Sequence, residues 1–147
     1  TMTAHSHGAG DKKRTRQILT AGTVLMLIVS LILTTLVIPL GGKIIALFGA
    51  GAEAVKIGSA FFVRIACFYP IFGLAMAFRG YLEGKSDLVY SSTAGIVSLI
   101  VRIIASYAMV PFYGNMSIAY AEMLAWVWLL AMYLLRFAYK KRQASFT

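Results

Sequence analysis

Acidic residues, histidine, proline and cysteine are all scarce in this sequence. Among 147 residues there are five Asp and Glu, two His, three Pro and one Cys. One cysteine excludes an internal disulfide and a cysteine-based metal site. Cys67 lies in an apolar run and reads as a small buried or lipid-facing hydrophobe. Both histidines, His5 and His7, fall in the polar opening stretch and read as solvated linker residues. No Ser-His-Asp set, metal-ligand cluster or glycine-rich nucleotide motif is present. The sequence therefore reads as neither an enzyme nor a metal or cofactor binder. Charged residues of both signs make up 13%, about half the share of a soluble domain. Too little polar surface remains to cover a water-facing fold, which excludes a cytosolic domain and a disordered tail.

What is abundant is apolar. Hydrophobic residues are 60% of the chain and the mean hydropathy is +0.80. That composition predicts an all-α integral membrane helical bundle. Four transmembrane helices are predicted at about 18–40, 57–79, 88–111 and 116–136, each near the 20 residues a bilayer requires. Pro39 with Gly41–Gly42 is expected to close the first, and Pro111 the third. Residues 1–17 read as an N-terminal link without signal-peptide character, and 137–147 as a basic tail. The start at Thr1 rather than Met reads as the edge of a longer protein. The Lys43–Lys56 link has the composition of a short interfacial helix. Gly80-x-x-x-Gly84 reads as a turn between spans two and three.

The 14 Lys and Arg give a net charge of +9. A nucleic-acid role would need a basic face on a soluble domain, so nucleic acid is not an expected partner. Sorted by position, ten fall in the N-terminal link, the 79–85 link and the C-terminal tail, whereas only Lys43 and Lys56 fall opposite. The bias predicts a multi-pass protein of the cell membrane with both termini cytoplasmic.

Three charges lie inside apolar spans: Arg64, Arg102 and Glu122. At 1.5 Å per residue they sit about 10, 13 and 9 Å from the outer ends of their spans. Their common depth predicts contact, with Arg102–Glu122 the expected pair and Arg64 joining it or facing a cavity. Such a pair either fixes helix packing or lines a substrate path. Trp126, one turn after Glu122, adds an aromatic face suited to an apolar cation, or else packs in the core. Ser91, Gly95, Ser98, Arg102 and Ser106 share one face of span three, with Ile96, Ile100, Ile103 and Ile104 opposite. Pro70, near the middle of span two, is a hinge candidate or a static kink.

Several segments resemble multidrug and toxic compound extrusion (MATE) transporters. His7-Gly8-Ala9-Gly10-Asp11-Lys12-Lys13-Arg14 is similar to a cytoplasmic link of that family. Phe78-Arg79-Gly80 with Gly84-Lys85 resembles a helix exit. Val101-Arg102-Ile103 with Ser106-Tyr107 resembles a membrane helix, as do Phe112-Tyr113-Gly114, Ile118-Ala119-Tyr120-Ala121 and Ala125-Trp126. Ile104, Ser117 and the long Gly80–Asp87 turn depart from the family pattern. The resemblance extends over nearly the whole chain and places it as a C-terminal fragment, the last four helices of a twelve-helix, two-lobe transporter. It implies efflux of cationic amphipathic compounds by Na⁺- or H⁺-coupled antiport, with small cations and the missing helices as partners and no cofactor. Span two holds no acid, so no ion-coupling residue is assigned. A fragment of a related lipid-linked polysaccharide flippase, and an autonomous four-helix membrane protein, are the alternatives.

Overall fold

The computed structural model describes residues 2–146, and among them all regular structure is helical. The helices are α1 (Met2–Gly8), α2 (Lys12–Leu47), α3 (Ala52–Ala66), α4 (Tyr69–Gly84), α5 (Leu88–Tyr113) and α6 (Ser117–Phe146), with a 3₁₀ turn at Gly114–Met116. α2 packs on α3 and α4, α4 on α6, and α6 on α5, while α1 lies across α2 and α4.

α2 begins earlier than Ile18 because Asp11 caps it. The Arg14 backbone N–H donates to the Asp11 carboxylate at 2.8 Å, satisfying one of the orphan donors of a helix start. The stretch expected to be a link therefore holds α1 and the first turns of α2. His5 and His7 are exposed on α1. Nor does α2 end at Pro39, which lies inside the helix. The glycines after it are packing notches rather than a stop. A Cβ at Gly41 would meet the Phe62 ring at 2.8 Å, one at Gly42 would meet Ser59, and one at Gly58 would meet Ile45. Missing side chains on both helices let α2 and α3 approach closely. The Lys43–Lys56 stretch thus completes α2, turns through Gly49 at φ +78°, and begins α3.

The second expected span is two helices. α3 and α4 meet at a 52° bend, with the break at Cys67–Phe68. Pro70 does not kink a continuous helix; it occupies the first turn of α4, where a missing N–H costs least. In an unbroken helix residue 70 would donate to the Ala66 carbonyl, and proline cannot. That carbonyl instead lies 2.8 Å from the Thr34 hydroxyl of α2. A backbone group released by the break is thus satisfied by a neighbouring helix, as membrane proteins require. Gly80 and Gly84 belong to α4 rather than to a turn, and Gly84 receives Thr3 of α1. The reversal is at Lys85–Asp87, with Ser86 at φ +61°.

α5 runs past Pro111 to Tyr113, and Gly114 at φ +52° reverses the chain. α5 and α6 are antiparallel. Tyr90 Oη donates to the Met132 carbonyl (2.9 Å), Ser98 Oγ to the Ala125 carbonyl (3.0 Å) and Arg102 to Glu122 (2.8 Å). Ser91 and Ser98 of the polar stripe are buried, whereas Ile96, Ile100, Ile103 and Ile104 are exposed. The innermost core joins α4, α5 and α6 through Ala75, Leu82, Ala94, Leu129 and Tyr133. The expected basic tail after residue 136 continues α6 as helix.

Two helical stretches are long and apolar enough to cross a bilayer: Lys12–Leu47 and Leu88–Gln143. The bent pair α3–α4 makes a third if it counts as one span. This differs from four separate spans because the second is broken and the last two are limbs of one stretch folded at Gly114.

Candidate functional site

Where α4, α5 and α6 converge they leave an open cleft of about 150 Å³. Phe72 lines it from α4; Gly95, Ser98, Leu99 and Arg102 from α5; Glu122, Ala125, Trp126 and Leu129 from α6. The pattern of α5 explains its share. Gly95 removes bulk, and Ser98 spends its hydroxyl on the Ala125 carbonyl, holding α6 close enough for Arg102 to reach Glu122.

The charged pair is asymmetric. Arg102 Nη1 lies 2.8 Å from Glu122 Oε2, with the Arg102 side chain 45% exposed and that of Glu122 19%. The carboxylate is fixed in the wall, and the guanidinium is the accessible partner. Beside them the Trp126 ring stands 4.9 Å from Phe72 and 6.0 Å from Tyr69, centroid to centroid. A carboxylate flanked by aromatic faces is a setting in which an organic cation gains from both charge and ring quadrupole.

Three of the sequence-predicted residues, Arg102, Glu122 and Trp126, therefore share one cleft. Arg64 does not line it. Its Nε donates to Tyr120 Oη (3.3 Å) and its Nη1 to the Ala60 carbonyl (3.0 Å), tying α3 to α6. Tyr120 in turn rests on Tyr113 at 4.5 Å. Pro70 lies two residues before Phe72, at the start of the helix that carries that ring. Cys67 is exposed, its thiol donating to the Val63 carbonyl. Trp128 is half exposed. Sequence reasoning missed Phe72, an aromatic in an apolar run with no distinguishing spacing. It also missed Thr34, which only the partner carbonyl marks out.

A second polar cluster stands where α4, α5 and α6 end or begin. Asp87 accepts two hydrogen bonds from Arg136 (2.8 and 3.1 Å), and Lys140 Nζ lies 2.9 Å away. The Arg136 guanidinium covers the Tyr90 ring at 4.7 Å. Hydrogen bonding from Arg136, then from Lys140, outweighs burial and lowers the Asp87 pKa from 3.8 to about 2. Thr3 of α1 against Gly84 brings the start of α2 to this same end. The ten basic residues outside the spans and the Lys43–Lys56 stretch thus gather at one end of the bundle.

The MatE family profile matches residues 1–108. The chain belongs to the MatE family. No curated protein and no solved structure matches it. MatE proteins are transporters and not enzymes, which accords with a membrane bundle in a transport role. The match corrects the expected extent and placement of the resemblance. It lies in the N-terminal part of the chain and stops within α5, so the reading as a C-terminal fragment similar throughout is overturned. The segments at 112–126 fall outside the match. The MatE match includes Phe72 and Arg102 and excludes Glu122 and Trp126, so the cleft straddles its boundary.

Proposed function

We propose that these helices form part of a two-lobe, twelve-helix transporter that exports cationic amphipathic compounds by Na⁺- or H⁺-coupled antiport. The observation that carries this reading is the Arg102–Glu122 pair beside Trp126 and Phe72. An intramembrane ion pair in a cleft is costly and marks a pathway more often than a surface pair does. Glu122 offers fixed negative charge, Trp126 and Phe72 offer ring faces, and Arg102 holds the carboxylate until another cation replaces it. The cleft is smaller than the 300–1,000 Å³ of a typical ligand pocket. It fits the charged head of a ligand whose remainder lies against other helices of the transporter. α3–α4 crosses once as a bent span and the limbs of Leu88–Gln143 cross separately, making four crossings with α2. The basic end faces the cytoplasm of a cell-membrane protein, by the positive-inside bias.

The test is accumulation of a cationic dye in an efflux-deficient host expressing the gene that encodes this chain. Expression lowers accumulation, and Glu122→Gln restores it while the protein remains in the membrane at wild-type level. Unchanged accumulation on expression, or full activity of Glu122→Gln, overturns the reading.

A further inference from the structure

One face of α2 stands open, lined by no other described helix. At one end it presents Lys12, Lys13 and Arg16; farther along it presents Val24, Leu25 and Ile28. The three apolar residues are half exposed or more. Among the described residues none of the three cations has an ion-pair partner. Arg136 and Lys140, at the same end of the bundle, are by contrast taken up by Asp87.

The face is polarised along the helix, and its length has a physical counterpart. Lys12 to Ile28 spans about 24 Å at 1.5 Å per residue. One leaflet, headgroup included, is about 20–22 Å thick. The cationic end falls at the depth of phosphate groups and the apolar end at that of acyl chains. Zwitterionic lipid would meet the apolar wall equally well but leave the three cations without net countercharge. Clustered Lys and Arg at a membrane boundary select anionic headgroups.

We infer that this open face of α2 is a binding site for one anionic phospholipid, its phosphate held by Lys12, Lys13 and Arg16 and its chains laid along Val24, Leu25 and Ile28. The site is separate from the α4–α6 cleft and independent of what that cleft carries.

Native mass spectrometry of the full chain, released from nonionic detergent with phosphatidylglycerol or phosphatidylcholine of identical chains, tests this. The unmodified chain retains phosphatidylglycerol at least about 10-fold more strongly, and the margin shrinks as salt rises. A basic residue near an anionic surface contributes roughly 5-fold, so Lys12→Gln/Lys13→Gln/Arg16→Gln weakens phosphatidylglycerol retention on the order of 100-fold. Phosphatidylcholine retention stays unchanged, and Lys43→Gln/Lys56→Gln leaves both as they were. Equal retention of the two lipids by the unmodified chain, or insensitivity of the margin to salt, overturns the inference without any variant. A preference that survives the triple substitution, or falls equally in the Lys43/Lys56 control, also overturns it. So does displacement of the lipid by glycerol phosphate at equal concentration, which would make the site one for free anions. A second copy of the chain covering that face, seen as a dimer that the triple variant dissociates, overturns it as well.

Discussion

Replacing Thr34 by valine keeps the shape of the side chain and deletes one hydroxyl. That hydroxyl lies 2.8 Å from the Ala66 carbonyl and also 2.8 Å from the Ser30 carbonyl of its own helix, so its one proton is shared between them, and Ala66 is fully buried. An orphaned buried acceptor costs about 1–3 kcal/mol, while single interhelical hydrogen bonds measured within membrane proteins average about 0.6 and reach about 1.7 kcal/mol. The carbonyl lacks an intrahelical donor because residue 70 is proline, but the proton is shared with Ser30, which places the expected cost between those membrane values, about 1 kcal/mol. The same reasoning requires Pro70→Ala to supply an N–H that competes for that carbonyl. In the Pro70→Ala background the Thr34→Val loss should therefore shrink by about 1 kcal/mol. Thr35→Val is the control: its hydroxyl is exposed and bonds only to Leu31 of its own helix, so it should cost little. Reversible unfolding in mixed detergent micelles, followed by circular dichroism, yields the stabilities of the unmodified chain and the four variants. A Thr34→Val loss equal in both backgrounds, or no larger than that of Thr35→Val, refutes the account of the bend.

Further consequences are open to simple measurement. Arg102→Gln and Glu122→Gln should each destabilise the bundle, and the double variant should lose less than the two losses added; strict additivity in the same assay would show the pair uncoupled. Asp87 is more acidic folded than unfolded, so its contribution is fully present above about pH 4 and is lost as pH falls toward about 2. Asp87→Asn should remove that acid-sensitive part of the pH–stability curve. Gly41→Ala forces a Cβ against the Phe62 ring and should cost about 1–3 kcal/mol by overpacking. At Gly80 a Cβ meets nothing within 4 Å, and alanine should be neutral or stabilise by up to about 1 kcal/mol. Melting temperatures of the two alanine variants should move in opposite directions or differ by several degrees.

The sequence disclosed the material of the fold more readily than its joints. Apolar fraction and charge bias identify a membrane bundle because they sum over many residues, and the pairing of Arg102 with Glu122 followed from helical rise together with the adjacency of the last two spans in the chain. Boundaries failed where a local signal had two physical uses. Pro39 and Pro111 read as stops, yet each sits inside a helix; Pro70 read as a kink within one helix, yet it starts another. Gly41 and Gly42 read as breakers because nothing local announces that Phe62 and Ser59 occupy the space they leave. Arg64 read as a cavity candidate from its depth, but depth does not report azimuth, and its partner is Tyr120. Phe72 and Thr34 matter only through contacts on other helices, which no spacing along the chain encodes.

The bend between α3 and α4 has a mechanical consequence for α6. Arg64 holds α6 from one limb through Tyr120, and Phe72 bears on it from the other limb through Trp126. Helix α6 therefore acts as a splint across the joint. Any change of the angle must part the Arg64–Tyr120 contact or slide one ring over the other, and the ring that slides belongs to the cleft wall. Opening the joint and reshaping the cleft are then one movement.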